Sequence, residues 1–324
     1  MDRRIPILLI IDCEPDPRQP QPGKADRWLG FENLFGFLAV QRRLLAERTG
    51  SPARFSWFWR MDPQIEVTHG SARWAVETYG SLIKTAEEHG DEMGLHVHGW
   101  RWDAARAIWI ADHGNDAWME HCIRSSFSEF ERSFARQCDV VRMGDGWFSN
   151  QATRMLEQQG VRIDLTLESD MPATPSLVPE EIATGIIPDR SGVPHRVYHP
   201  SLRDFRAADH DGATRLWMLP VTTGRAPKRR RGWVRFLPKM LAPPELELVQ
   251  LNLSHAPRRF VPIFERAISQ GDRPYAAICM RSDGGHPRPL KAIERNIRYM
   301  LRHRQADRFM FVTPTTALGL LQDR

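Results

Sequence analysis

Two histidines one residue apart end an apolar run in the stretch MGLHVHGW, residues 93 to 100. Side chains alternate across a β-strand, so His96 and His98 point to the same side, with Cα atoms about 7 Å apart. Both imidazoles can therefore reach one metal ion. Satisfied or solvated histidines are also common at strand ends, so this spacing alone leaves both interpretations open.

A second pair with the same spacing lies near the N-terminus, where Asp12 and Glu14 end the apolar run IPILLII. Three more polar pairs follow apolar runs in the same way: Arg60 and Asp62, Arg142 and Asp145, and Arg281 and Asp283. An acid at a strand end is usually a helix cap or a loop residue when taken singly. Five such pairs together would bury many charges without purpose unless they form one site.

The elements that position these pairs are short apolar runs, typical of strands buried on both faces of a parallel sheet. There are eight of them, at residues 5–12, 53–59, 93–98, 139–143, 161–167, 215–221, 275–281 and 308–314. Helical patterns lie between several of the runs, at residues 31–50, 72–90 and 150–160. This alternation predicts an α/β barrel or an open doubly wound sheet, and the count of seven or eight strands favours the barrel.

In such a barrel the active site lies at the C-terminal ends of the strands, where the polar pairs are. We expect residues 1–324 to form a single barrel domain, because the composition, with 41% hydrophobic residues, can bury a large core. Long loops are expected at about residues 170–213 and 224–245.

The composition is that of an ordinary globular protein and excludes several classes. The sequence has no apolar segment of 18 residues, and its first apolar run ends in acids instead of a small-residue cleavage site. Its four cysteines are too few and too scattered for a disulfide framework, so we expect them to be reduced and mostly buried. These features predict a cytoplasmic protein.

A basic segment, GRAPKRRRGWVRFLPKML at residues 224–241, mixes cations with aromatic and aliphatic side chains in a chain of formal charge +5. Such a segment can lie on an anionic membrane surface, here the inner face, or bind the phosphate of a lipid-linked sugar. A solvated mobile loop is the alternative. No nucleic acid is expected as a partner, because the chain carries no recognised reader motif.

Three segments resemble, in order, the first three motifs of the polysaccharide deacetylases, the metal-dependent carbohydrate esterases with a nodulation-type deacetylase domain. They are LLIIDCEPD, GDEMGLHVHGW and VVRMGDGWFSNQATRMLEQQGVRIDLTLES. The resemblance covers roughly residues 5 to 170, with a looser echo at LWMLPV and FMFVTP. It implies a distorted (β/α)7 barrel and a divalent metal cofactor, most commonly zinc.

Carried over position by position, the resemblance makes Asp12 the general base, Glu14 and His96 metal ligands, and Arg142 the residue that orients Asp12. Two positions depart from the family pattern. Glu14 stands where the family usually has aspartate, and Trp100 stands where the second histidine is usual, which leaves His98 as the nearest substitute. The D-x-E and H-x-H pattern resembles a divergent branch found among proteins of surface-polysaccharide synthesis.

The family's general acid is a histidine near the last strands, but the corresponding stretch here is AAICMRSDGGH. Arg281 and Asp283 occupy the strand end and are the catalytic candidates. His286 could reach in from the loop, or Arg281 could serve only to stabilise the oxyanion.

Substrate contacts are predicted at the same strand ends. The candidates are Arg60, Asp62, Trp100, Asp145, Trp147 and His286. Trp100 and Trp147 could stack on sugar rings, although tryptophan is equally a core residue.

These features predict a hydrolase that removes an N-acetyl or other acyl group from a sugar of a polysaccharide or of a lipid-linked saccharide precursor. One alternative is a catalytically silent barrel that binds glycan or acts as a scaffold in polysaccharide biosynthesis. Another keeps the metal site but cleaves a formyl amide or a sugar ester.

Overall fold

The computed structural model describes residues 4–24, 26–174, 182–210, 212–228 and 245–322. The described residues form thirteen strands: β1 (Ile5–Cys13), β2 (Ser56–Arg60), β3 (Glu92–Val97), β4 (Trp100–Asp103), β5 (Ile108–Asp112), β6 (Val140–Met143), β7 (Ile163–Asp164), β8 (Ala183–Thr184), β9 (Trp217–Met218), β10 (Thr223–Pro227), β11 (Leu246–Gln250), β12 (Ala276–Arg281) and β13 (Phe309–Phe311). The helices are α1 (Leu29–Thr49), α2 (Pro63–His69), α3 (Trp74–Thr78), α4 (Gly80–Glu88), α5 (Asp116–Phe134), α6 (Asn150–Gln158), α7 (Pro257–Ser269), α8 (Pro287–Arg302) and α9 (Pro314–Gln322).

A curled parallel sheet forms the centre of the molecule, with the strand order β12-β1-β2-β3-β6-β7-β9. The strand β13 is the eighth member and pairs with residues 5–7 of β1, below the point where β2 pairs with residues 10–13. Between β9 and β12, single backbone hydrogen bonds close the barrel. Thr222 N donates to Ala277 O, and Cys279 N donates to Leu251 O. The predicted distorted (β/α)7 barrel is therefore confirmed, and all eight predicted apolar runs contribute to its sheet.

Alternation along β1 decides which side chains face the inside of the barrel. All nine residues of β1 are buried, and Leu8 and Ile10 pack in the interior cluster with Phe58 of β2. The odd-numbered residues pack instead against the surrounding helices. Because the period is two, Asp12 and Glu14 continue the interior series at the C-terminal end of the strand.

Gly94 of β3 makes room for the interior packing. A Cβ atom at this position would lie 2.9 Å from the Phe58 ring and 2.6 Å from the carbonyl oxygen of Val140. The absence of a side chain lets β3 lie close to β2 and β6. The close approach of β3 to its neighbours contributes to placing His96 and His98 at the C-terminal end of the barrel.

Two parts of the chain differ from the predictions. The expected helix at residues 72–90 is two helices, α3 and α4, because Tyr79 leaves the helical conformation with φ −105° and ψ 19°. The tryptophan-rich stretch after β3 is an antiparallel hairpin of β4 and β5, and β8 pairs with β5 to give a small three-stranded sheet.

The two predicted long loops are only partly described. Residues 224–227 belong to β10, which pairs with β11, instead of beginning a loop. Most of the basic segment lies outside the described residues, since residues 229–244 are not among them. All four cysteines are buried and free, in agreement with the prediction. None of the helices in the described ranges has the length and apolar character needed to span a membrane.

Candidate metal centre

Three side chains converge at the C-terminal end of the barrel: Glu14 beyond β1, His96 on β3 and His98 just after it. One Glu14 oxygen, Oε1, lies 3.1 Å from His98 Nε2 and 3.3 Å from His96 Nε2. The two Nε2 atoms are 2.9 Å apart. The exposed fractions of these side chains are only 1 to 3%. The three ligand candidates, the two histidines predicted from their spacing and Glu14 implied by the family resemblance, therefore do come together.

The second nitrogen of each imidazole determines what the first can do. His96 Nδ1 lies 2.8 Å from the carbonyl oxygen of Arg142, and His98 Nδ1 lies 2.9 Å from Asp145 Oδ2. The Trp100 indole N–H is also directed at His98 Nδ1, at 3.1 Å. A carbonyl and a carboxylate can only accept hydrogen bonds, and the charged, shorter contact with Asp145 is the stronger partner of His98 Nδ1 than the Trp100 N–H is. We therefore assign the proton to Nδ1 in both rings. Both Nε2 atoms then carry lone pairs.

This arrangement fits a divalent cation. Two imidazole lone pairs and a carboxylate oxygen, all within 4.8 Å of one another, would repel each other in a buried site without positive charge between them. Neutral imidazoles with the opposite ring nitrogen bonded to a carbonyl or carboxylate are the usual metal-binding form. Glu14, His96 and His98 are accordingly the residues that could hold an ion.

Arg60 fixes the other oxygen of Glu14. It lies on β2, is fully buried, and donates from Nη1 to Glu14 Oε2 at 2.6 Å and from Nε to Asp62 Oδ2 at 2.5 Å. Burial raises the pKa of Glu14, but the neighbouring side chains of His98, Arg60 and His96 outweigh it and hold that pKa well below its usual value. Burial, together with the charge of Arg60, lowers the pKa of His98 well below its usual value, so the ring is neutral.

The predicted substrate contacts of Arg60 and Asp62 have no support in this geometry. Arg60 and Asp62 have 0% and 1% of their surfaces exposed, and Asp62 also accepts a hydrogen bond from Gln64 N as the cap of α2. Their polar atoms bind each other and Glu14. They position a metal-ligand candidate, and their polar atoms already have partners within the protein.

Arg142 of β6 joins the ligand candidates to Asp12. Its Nε lies 3.0 and 3.3 Å from the two carboxylate oxygens of Asp12, and its Nη1 donates to Leu165 O at 2.7 Å. Burial lowers the pKa of Arg142, but the negative charge of Asp12 outweighs this and raises it. The same residue therefore holds Asp12 with its side chain and His96 with its carbonyl oxygen.

Comparison with protein-family models and with curated proteins finds no match to this sequence. Among solved structures, it resembles one from Mycobacterium smegmatis described as a polysaccharide deacetylase (10% identity, TM-score 0.51, 99% of this chain and 91% of that one). It also resembles one from Parabacteroides distasonis described as a glycoside hydrolase/deacetylase (11% identity, TM-score 0.57, 98% and 71%) and Puue allantoinase (12%, 0.51, 98% and 90%).

The chain has the polysaccharide deacetylase fold. The motif resemblance implied this fold, and the structural likeness confirms it. At identities of 10 to 12% the likeness concerns the fold, so the chemistry of the site has to be argued from its own residues.

A short 3₁₀ turn (Gly144–Gly146) follows β6 in this deacetylase fold and supports His98 from behind. Asp145 adopts a left-handed conformation, with φ 57°, that aims its carboxylate at His98 Nδ1. A Cβ atom at position 144 would lie 2.3 Å from the His98 ring. Glycine at position 144 is therefore required for the observed ring position.

Three polar side chains around this turn were not found by sequence reasoning. We call Arg18, His113 and Arg190 the donor cluster. Arg18 forms an ion pair with Asp145, His113 Nε2 lies 3.7 Å from Asp145 Oδ2, and Arg190 Nη1 lies 3.4 Å from Gly146 O and 3.3 Å from Glu168 Oε2.

Two of the remaining predicted residues form an ion pair at the C-terminal end of β12. Arg281 pairs with Asp12 across the β12 and β1 strands, and it binds Asp283 through Nε and Nη2 at 3.0 and 2.5 Å. His286 is exposed at the start of α8. Trp100 and Trp147 are 0% and 5% exposed, so neither offers a ring face for sugar stacking in this conformation.

Proposed function

We propose that the protein is a metal-dependent hydrolase that removes an N-acetyl or other acyl group from a sugar of a polysaccharide or a lipid-linked saccharide precursor. One observation carries this proposal: Glu14, His96 and His98 converge beside the Asp12 and Arg142 pair, at the active end of a barrel with the polysaccharide deacetylase fold. Two imidazoles and one carboxylate are a donor set typical of zinc, and we propose zinc as the ion.

The residues of this chain have distinct roles in the proposal. A bound divalent ion supplies Lewis-acid activation of water and of the acyl carbonyl. Asp12 is the general base and accepts the proton of the attacking water at a carboxylate oxygen. Arg142 orients Asp12, because its Nε contacts both carboxylate oxygens.

Arg281 is the proposed stabiliser of negative charge on the acyl oxygen. It lies beside Asp12 in the strand register, and Asp283 occupies two of its nitrogens, which leaves Nη1 for an oxyanion. The exposed position of His286 favours this role for Arg281 over proton donation by His286.

The test compares metal content and acyl release in four purified proteins: wild type, His96→Ala, Asp12→Asn and His121→Ala, the last being an exposed histidine used as a control. We expect wild type and the control to bind one zinc per chain and to release acetate from N-acetylglucosamine oligomers. His96→Ala should lose the metal but keep its circular dichroism spectrum. Asp12→Asn should keep the metal and lose about 10²- to 10⁴-fold in turnover.

Full stoichiometric metal in His96→Ala would contradict the ligand assignment, and an active Asp12→Asn enzyme would contradict the base. Formylated and O-acetylated sugars in the same assay separate deacetylation from the deformylase and esterase alternatives. A metal-loaded protein that releases no acyl group from any of these substrates would favour the catalytically silent barrel.

A further inference from the structure

The donor cluster lies against the turn that supports His98, and it contains polar atoms that no group of the described chain satisfies. Arg18 Nε, His113 Nε2 and Arg190 Nε are buried without a hydrogen-bond partner among the described residues. Arg190 and His113 are 3% and 4% exposed. A buried polar atom without a partner is costly, so three such atoms around one turn indicate a group that the protein itself does not provide.

Arg18 is the partly exposed member of the donor cluster and also lies beside Trp100. The side chain of Arg18 is 22% exposed, whereas those of Glu14 and His98 are each 1% exposed. Its guanidinium carbon lies 5.8 Å from the centre of the Trp100 ring. Arg18 is therefore more accessible to a ligand than Glu14 and His98 are.

The charges around the site favour an anion once a divalent ion is bound. Five arginines lie among the site residues: Arg18, Arg60, Arg142, Arg190 and Arg281. Six carboxylates accompany them: Asp12, Glu14, Asp62, Asp145, Glu168 and Asp283. Within this set, a divalent cation would change the formal balance from one net negative to one net positive charge.

Arg18 also experiences repulsion that an anion would relieve. Burial lowers the pKa of Arg18, and the charges of Arg281 and Arg60 lower it against the opposing charge of Glu14. Burial likewise lowers the pKa of Arg190, in spite of the opposing charge of Glu168. Guanidinium groups bind carboxylates and phosphates through paired, charge-assisted hydrogen bonds.

We propose that the acylated substrate carries a carboxylate or phosphate group, and that Arg18 and Arg190, with His113, bind this anion beside the metal centre. This inference rests on the proposed function and names the substrate class of the same site. Arg18 and Arg190 are thus specificity-determining residues, and the loss of either weakens binding of a charged sugar more than that of a neutral one.

The first experiment compares kcat/KM of the zinc-loaded enzyme on three probes: a short N-acetylglucosamine oligosaccharide, the same sugar with a terminal phosphate, and one with a lactyl carboxylate. We expect one charged probe to exceed the neutral probe by about 10- to 100-fold, the range of one or two hydrogen bonds to a charged group. The two charged probes distinguish a phosphate from a carboxylate ligand. The preference should fall as salt concentration rises.

Variants assign the preference to the cluster. Arg18→Gln and Arg190→Gln should each lower kcat/KM on the preferred charged probe about 10-fold more than on the neutral one, mainly through KM. Arg18→Lys should recover part of the loss, because it keeps the charge without the planar fork. Arg27→Gln is the control, since Arg27 belongs to the same connection but pairs with Glu32 on the surface. It should match wild type on every probe.

Titration calorimetry with zinc-loaded Asp12→Asn protein measures binding of the same probes without turnover. Equal affinity for charged and neutral probes, or a preference that survives in both glutamine variants, would overturn the anion site while leaving deacylation intact. Selective binding of a charged probe, combined with wild-type protein that hydrolyses none of the probes, would instead uphold the anion site and contradict the proposed function.

Discussion

His98 links the candidate metal ligands to the turn after β6. Its Nε2 faces Glu14 and His96, and its Nδ1 faces Asp145, which is itself paired with Arg18. A carboxylate on the far nitrogen of a ligand histidine fixes the ring and increases its basicity. The turn after β6 therefore affects metal affinity although it supplies no ligand candidate.

We expect Asp145→Asn to weaken zinc binding by about 10- to 100-fold, because the amide removes the negative charge behind His98. Asparagine tolerates the left-handed conformation of this position, so the substitution tests charge and not backbone strain. Competition with a chromophoric chelator measures the affinity. Asp116→Asn, at an exposed aspartate of α5, should leave it unchanged, and equal affinity in Asp145→Asn would contradict the role of the Asp145 charge behind His98.

The sequence predicts the site residues that lie on the barrel strands, but not those on the connections and on the added sheet. Asp12, Glu14, His96, His98 and Arg142 lie on strands or directly after them, where the period of two places them on the interior face. Arg18, His113 and Arg190 come from connections and from the added sheet, which have no such period. The only available signal was the stretch WIADHG, whose strand β5 ends one residue before His113.

At the level of elements, apolar content predicts the barrel strands better than it predicts the additions to the barrel. Each of the eight runs is buried from both sides, so its composition alone marks it as a strand. The hairpin of β4 and β5 lacks this mark because it is short and partly exposed. The break between α3 and α4 depends on Tyr79, whose hydroxyl accepts a hydrogen bond from Trp28 N, a contact distant in sequence.

A buried carboxyl group on β7 should make the stability of this fold depend on pH. Burial raises the pKa of Asp164 to about 7, against the hydrogen bonds that Thr166 donates to it. The folded state therefore keeps a proton that the unfolded chain releases above about pH 4. Folding is favoured at low pH, and this contribution declines as pH rises from about 4 to 7, by up to about 1.4 kcal/mol per pH unit.

Replacement of Asp164 by Asn should flatten this dependence, because the amide does not titrate. Urea unfolding of metal-free protein at pH 5, 6 and 7 gives the free energies of unfolding to compare. Asp116→Asn should keep the slope of wild type, since its carboxylate is exposed. An identical slope in Asp164→Asn would show that Asp164 is ionised in the folded protein throughout this range.

At the scale of the whole molecule, the segment 224–241 is the candidate contact with a membrane or a lipid-linked substrate. Its strongest cluster, Arg229 to Arg231 with Trp233, Arg235, Phe236 and Lys239, lies outside the described residues, in the connection between β10 and β11. Each cation near an anionic surface contributes about 1 kcal/mol, and the attraction weakens with salt. Several together would hold the protein reversibly.

We therefore expect the protein to sediment with anionic vesicles at low salt, and not with neutral vesicles or at high salt. Serine at positions 229, 230 and 231 should abolish sedimentation. Serine in place of Lys291, Arg295 and Arg302, three exposed cations of α8, removes the same charge elsewhere and should leave binding largely intact. Equal binding by both triple variants, or none by wild type, would leave a soluble glycan as the substrate.

The pairing of β1 has a consequence for how this protein is made. Its neighbours β12 and β13 are formed by the last part of the sequence, although β1 is synthesised first. During translation one edge of this largely apolar strand therefore stays unpaired until Arg281 has left the ribosome, and the first residues of its other edge until Phe311 has. Such edges readily pair with other chains. We therefore expect nascent or C-terminally truncated chains to aggregate more readily than the full chain, because they expose β1.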